Sequence, residues 1–340
     1  MFMPKTEQSV ESLIRSVRNL DLDCWDKVES LRDLDCVITD EGKVLFNDYE
    51  DMQMGITDLA VGQLCTKLGL PVRYFRKLAS PESPKVFRDL AQYNLNTLLG
   101  EESPDRVHLV RMYQNNIRGV LSERYSVFDT PDIMDVLSDS INDDLAIRGS
   151  HVSYEDFHVR LTSRKPLKIL GFDKDVFLGL QITSSDVGKS TLNIQVFLWK
   201  QVCTNGMCLP IFDRDLYRQK HLGLSLDVFR DGLLESMGVM STLKLKVQDL
   251  LKTRSVEKLD ENLFNKEKDI GLAFKEFVGI PLEDLSLLER LNKHYSNTVT
   301  VWSVTSALTE YAQKEGISFD RRLELERKAG ELLVNYGQFA

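Results

Sequence analysis

The sequence predicts an α+β protein: a central antiparallel sheet of hairpins flanked by helices, with a mainly helical C-terminal region. Three observations carry this. Between residues 106 and 203, apolar residues alternate with polar ones in short runs separated by turn-forming residues, as in half-buried strands. On either side of that region the apolar residues recur mostly at helical spacing. The 340 residues are 42% hydrophobic and 28% charged, an ordinary globular composition in a chain long enough to bury a large core. The expected divisions are an N-terminal helical cap with a hairpin (1–102), an antiparallel sheet core (103–214) and a helical region (215–340).

Taken in order, residues 5–20 read as an amphipathic helix, with Val10, Leu13, Ile14 and Val17 on one face. Cys36–Asn47 alternates around a turn at Asp40–Gly42 and reads as a hairpin. Thr57 and Asp58 cap a helix that ends at Gly69, and Pro71 opens a second one through Leu78. This pair has a helix–turn–helix-like pattern, and a packed αα-hairpin is its plainer reading. Lys85–Leu99 is a further helix, and Glu101–Asp105 a polar linker. Arg106–Tyr113 and Ile117–Leu121 form a hairpin about Gln114–Asn116. Asp129–Pro131 caps a helix from Asp132 to about Ile141. Ala146–His151, Phe157–Thr162, Val176–Thr183 and Thr191–Cys203 are strands, the last two flanking a Ser184–Ser190 loop. Helices follow over Leu226–Leu251, Asn262–Phe277, Leu282–Tyr295, Val301–Lys314 and Asp320–Tyr336.

The formal net charge of −9 argues against a whole-molecule grip on nucleic acid, although a local basic groove is compatible with it. Five scattered cysteines, Cys24, Cys36, Cys65, Cys203 and Cys208, without the apolar core of a signal sequence suggest reduced thiols inside a cell. No apolar run reaches the length of a membrane span.

Few motifs carry chemistry. Ser184–Ser190, SSDVGKS, ends like a phosphate loop, but the first glycine of that motif is Thr183 here. A hairpin loop in which Gly188 supplies a positive φ is the plainer reading, and phosphate contact by Ser184, Ser185 and Lys189 a middle one. Cys203 and Cys208 lack two further zinc ligands at suitable spacing. A Cys203 nucleophile would need His158 or His221 beside it. Thr204, Asn205 and Gly206 read as a turn. Among the carboxylates, Asp213 and Asp215 form the tight pair after a strand, short of a two-metal nuclease set. No catalytic residue, metal or cofactor is assigned, and the chain reads as a binding protein rather than an enzyme.

The basic residues Arg118, Arg124, Arg160, Arg164, Lys165, Lys168, Lys189 and Lys200 fall on or beside strands, with Tyr125 and Trp199 among them. On one sheet face they would pair phosphate contacts with base stacking. The alternative is a solvated face of Arg–Asp pairs. Trp302, Val304, Leu308 and Tyr311 share a helix face, suited to a core stripe or to an oligomer interface.

Two strings resemble a known family. Arg118–Tyr125, RGVLSERY, is similar to the R-A-hydrophobic-S-[DE]-R-Y signature of the phage/plasmid-like protein family (domain of unknown function 932). SSDVGKSTLNIQVFLWKQVCTNGM resembles its second signature, N-S-E-V-G followed by a strand and V-C-T-N-G-M. Ser185, Asp186, Gly188, Cys203, Thr204, Asn205 and Gly206 stand at motif positions, with Ser184 where the family often has Asn and Asp186 where it usually has Glu. The resemblance covers about residues 55–335. It implies a phage or plasmid protein in the bacterial host cytoplasm, acting in DNA metabolism or host–virus conflict. The sheet of hairpins is also similar, at the level of fold, to single-strand annealing proteins. The resulting expectation is an oligomeric single-stranded DNA-binding or annealing protein of recombination or replication. The alternative is a mobile-element effector that binds and blocks a host defence or replication protein.

Overall fold

A computed structural model of the chain describes residues 8–47, 53–142, 144–169, 175–202, 205–210, 215–258 and 300–339. The expected helices over Asn262–Phe277 and Leu282–Tyr295, and the Cys203–Thr204 dipeptide, lie outside them. The architecture is α+β, with antiparallel-rich sheets, flanking helices and a helical C-terminal region.

The hairpins are divided between two sheets. The first contains β1 (Cys24–Glu29), β2 (Asp35–Ile38), β3 (Val44–Asn47), β4 (Gln53–Ile56), β5 (His108–Tyr113) and β6 (Asn116–Ser122). Its spatial order is β1-β5-β6-β4-β3-β2, antiparallel except where β4 meets β6. The β5–β6 hairpin, expected in the sheet core of 103–214, therefore completes a sheet begun by the N-terminal strands. Strands β1 and β4 were not expected: each is short, and β1 carries Asp26, Lys27 and Glu29, so neither has a clean apolar alternation.

Three helices cover one face of this sheet: α2 (Asp58–Lys67), α3 (Val72–Ala79) and α4 (Lys85–Gly100). Thr57 caps α2 by accepting a hydrogen bond from Ala60 N, and Gly69 leaves the helix at φ +70°. Val61, Leu64, Phe75, Leu95 and Leu99 pack on Phe46, Met54, Val110, Met112 and Val120. Helix α4 also shields the β2 edge: Asn96 accepts from Cys36 N at 2.8 Å and Gln92 from Ile38 N at 3.0 Å.

The second sheet has the order β11-β10-β9-β8-β7, with β12 pairing the start of β10. Its strands are β7 (Leu145–Val152), β8 (Phe157–Ser163), β9 (Val176–Ser184), β10 (Leu192–Val202), β11 (Asn205–Pro210) and β12 (Tyr217–Gln219). Asn205 and Gly206 thus begin β11, pairing with Val202 and Gln201. The apolar positions Val159, Leu161, Leu178, Leu180, Ile194 and Val196 join a core with α1 (Val10–Asp21), α5 (Thr130–Ser140), α6 (Leu226–Val256), α7 (Val301–Tyr311) and α8 (Phe319–Phe339). On α7, Trp302, Val304, Leu308 and Tyr311 are all buried in this core, so that face is a core stripe. No helix among the described residues is long and apolar enough to cross a membrane.

Candidate functional site

The β9–β10 loop, read from sequence as a plain hairpin loop, is inserted against the β5–β6 hairpin of the other sheet. Ser184, Ser185 and Val187 are buried. Val187 sits on Gly119, where a Cβ would come within 3.0 Å of the valine Cβ. Gln63 of α2 clasps both elements, donating to Val187 O at 2.7 Å and accepting from Val120 N at 2.8 Å. Gly188 turns the chain at φ +71°, the left-handed value expected of it.

A charge cluster fixes this insertion. Arg111 of β5, 2% exposed, forms a bidentate pair with Asp26 at 3.0 Å, a second pair with Asp129, and donates to Asp186 O at 2.6 Å. Arg118 donates to Tyr154 O at 2.7 Å and lies 3.8 Å from the Asp186 carboxylate. That carboxylate also accepts from Thr130 N and Oγ1 at 3.0 and 2.9 Å. Burial, reinforced by neighbouring Asp129, raises the Asp186 pKa to about 6, with Arg118 and Arg111 opposing the rise. Tyr125 donates its hydroxyl toward the carbonyls of Ser185 and Asp186, at 3.0 and 3.1 Å. The residues of the two motif strings thus meet: Arg118, Gly119 and Tyr125 hold Ser185, Asp186 and Val187.

Where the two sheets meet, a cleft of about 1040 Å³ remains open. It is lined by α2 and α3, by β6 with Tyr125, by Gly188–Thr191, and by β12 with the following Lys220–Leu222. Among the described residues five cationic side chains line it, Lys67, Arg76, Lys189, Arg218 and Lys220, and no carboxylate does. Lys189 is held by Asp156 at 2.6 Å, and Arg218 lies 3.7 Å from Asp215. Lys67, Arg76 and Lys220 form no ion pair with a carboxylate among the described residues, although Glu102 is near enough to Lys67 to favour its charge. Burial and the nearby Arg106 lower the Lys67 pKa, so its charge is held in a place that disfavours it. An anion in the cleft would relieve that strain on Lys67.

The inner wall of the cleft is aromatic. The rings of Tyr125 and His221 stack with centroids 4.9 Å apart and planes 7° from parallel. His221 is 4% exposed, and its Nε2 lies 3.3 Å from Ser184 Oγ. Burial depresses its pKa to about 4, so the ring is neutral at pH 7. A Ser–His pair invites a nucleophile reading, but no carboxylate orients His221 Nδ1 and the Ser184 hydroxyl is fully buried.

The ten residues expected to form a sheet-face groove do not share a face, and Trp199 is buried. Arg118, Arg160 and Lys200 point into the interior, at 2%, 0% and 8% exposed. Arg118 is in the charge cluster, Arg160 pairs with the equally buried Glu326 of α8, and Lys200 packs over the Trp302 ring. Arg164, Lys165 and Lys168 are exposed around the end of β8, with Lys165 3.7 Å from Asp144. Arg124 is exposed beyond β6. Only Lys189 and Tyr125 of the ten line the cleft. Lys67, Arg76, Arg218 and Lys220 escaped sequence reading because they stand on α2, on α3 and on and after β12, far apart in the chain; only folding brings them together.

Among the described residues no three His, Cys, Asp or Glu side chains are grouped to hold a metal ion. Asp186 is engaged in the charge cluster, Asp215 accepts from Gln195 at 2.7 Å, and Asp213 lies outside the described residues. Comparison of the chain with protein-family models, curated proteins and solved structures gives no match.

Proposed function

We propose that this protein binds single-stranded nucleic acid without catalysis, in a recombination or replication role, and that the strand lies in the cleft between the sheets. One observation carries the reading: in a chain of net charge −9, five cations and no carboxylate among the described residues line one cleft. Three of those cations form no ion pair with a carboxylate among the described residues, which is the arrangement a run of phosphates compensates. The cleft volume lies at the upper end of what small ligands fill, about 300–1,000 Å³, and leaves room for a chain segment. Its location differs from the sheet face expected from sequence, because Arg118, Arg160 and Lys200 are spent on internal pairs.

Fluorescence anisotropy with a labelled single-stranded oligonucleotide tests this. Binding is expected at low salt and weakens as salt rises, with a slope of about −0.7 per phosphate contact. K67E/K220E is expected to lower affinity at least tenfold and flatten the slope. K165E, outside the cleft, is expected to leave both unchanged. Absence of binding at low salt in every oligomeric form would refute the reading; a K165E effect equal to that of K67E/K220E would move the site.

A second reading, an effector that occupies a host protein, is favoured by the outer face of α4. Val86, Phe87, Leu90 and Tyr93 are exposed there, on a helix whose opposite side is already buried. L90E/Y93E separates the two: it spares oligonucleotide binding under the first reading, and under the second it abolishes association with a defined host partner in nuclease-treated extract.

A further inference from the structure

The first sheet has one covered edge and one bare edge. At the β2 edge, Asn96 and Gln92 of α4 accept from the outer N–H groups. At the other end of the strand order stands β1, whose outer side meets no strand among the described residues. Gln114 N donates to Asp23 O at 2.8 Å, so Asp23, Trp25, Lys27 and Glu29 turn their backbone groups toward β5. The N–H and C=O groups of Cys24, Asp26 and Val28 therefore point outward. Leu22, Trp25 and Val28 along this edge are 84%, 42% and 63% exposed. Trp25 is anchored there by its Nε1–H, which donates to Gln114 O at 3.1 Å. A bare edge rimmed by apolar side chains is a template for another strand.

We propose that a second copy of this chain occupies the edge, β1 pairing with β1 antiparallel about a two-fold axis at Trp25. Charge complementarity selects this occupant and this register. In an antiparallel pair, opposed residues share a face, and hydrogen bonds form where outward residues meet outward residues. A register centred on Asp26 or on Lys27 sets two aspartates or two lysines against each other. One centred on Val28 leaves Trp25 beyond the end of the opposing strand. Centred on Trp25, the two rings meet at the axis, in a non-hydrogen-bonded pair whose Cα atoms come within about 4.5 Å. Asp23 then faces Lys27 of the second copy, on both sides of the axis. Cys24 and Asp26 exchange backbone hydrogen bonds with Asp26 and Cys24 of the second copy. Leu22 and Val28 of opposite copies come to the same end of the ladder. Asp23, Trp25 and Lys27 lie on the sheet face opposite Asp26, so the new contacts spare its pair with Arg111. None of these residues lines the cleft, and the inference does not depend on what the cleft binds.

Sedimentation velocity of the full chain over a concentration series tests this. Wild type is expected to pass from monomer to dimer as concentration rises. K27E and D23K each oppose like charges twice per dimer and are expected to raise the dissociation constant about tenfold. D23K/K27E restores opposite charges and is expected to dimerise nearly as wild type does. A chain that stays monomeric at every concentration overturns the inference. So does a dimer that either single variant leaves unchanged, or a double variant no tighter than the single ones. C24S/W25C gives an independent readout, because it places two thiols across the axis at a Cα separation that a disulfide spans. Under mild oxidation it is expected to yield a reducible crosslinked dimer in excess of C24S alone; equal crosslinking of the two overturns the register.

Discussion

Replacing Arg111 by methionine exposes how the two sheets are held together. The guanidinium is buried and serves Asp26, Asp129 and the carbonyl of Asp186, each from a different element. In R111M the Asp26 and Asp129 carboxylates stay in place without their cation, and the Asp186 carbonyl loses a donor. Removing one partner of a buried ion pair costs about 3–5 kcal/mol, chiefly from the charge left behind. Here the stranded carboxylates are 27% and 17% exposed and keep some water, so the expected loss is near the lower end, about 3 kcal/mol. R111M/D26N/D129N removes the stranded charges, and asparagine still suits the N-cap position that Asp129 holds at α5, so part of the loss returns. Urea unfolding at pH 7, followed by circular dichroism and tryptophan fluorescence, measures both. A loss under about 1 kcal/mol for R111M would refute the reasoning, as would a triple variant no more stable than R111M.

Three further outcomes are expected. G119A forces its new Cβ against Val187 and destabilises by about 1–3 kcal/mol; V187A costs less in that background than in wild type, which a double-mutant cycle reads directly. The raised Asp186 pKa means the folded state holds a proton that the unfolded state gives up between about pH 4 and 6. Stability from this group therefore falls as pH rises through that window. Relative to D186N, wild type is expected to gain about 1 kcal/mol between pH 7 and 5, while the oppositely shifted His158 and His221 affect both proteins alike; a pH-independent difference would be evidence against a buried, charge-crowded Asp186. T57A removes the side-chain cap on α2 and is expected to lower stability by about 1 kcal/mol in thermal melts, with no effect if Ala60 N finds water instead.

Much of the secondary structure was legible in the chain because it is written in local patterns. Thr57 with Gly69, Asp129 with Pro131, and the Gln114–Asn116 turn mark their elements without help from distant residues. The positive φ of Gly188 was likewise legible. Short edge and parallel strands were not: β1 and β4 exist because β5 and β6 supply their hydrogen bonds from more than fifty residues away. Folding alone decided that the β5–β6 hairpin joins the N-terminal sheet and that the β9–β10 loop is buried against it. It alone turned Arg118 and Arg160 into internal ion pairs, since whether an arginine faces water or a carboxylate depends on a partner elsewhere in the chain. The cleft has the same origin. The sequence determines that a net-acidic chain contains scattered lysines and arginines; only the meeting of α2, α3, β6 and β12 draws five of them to one opening, because like charges are brought together by the packing of their backbones and not by any attraction between them.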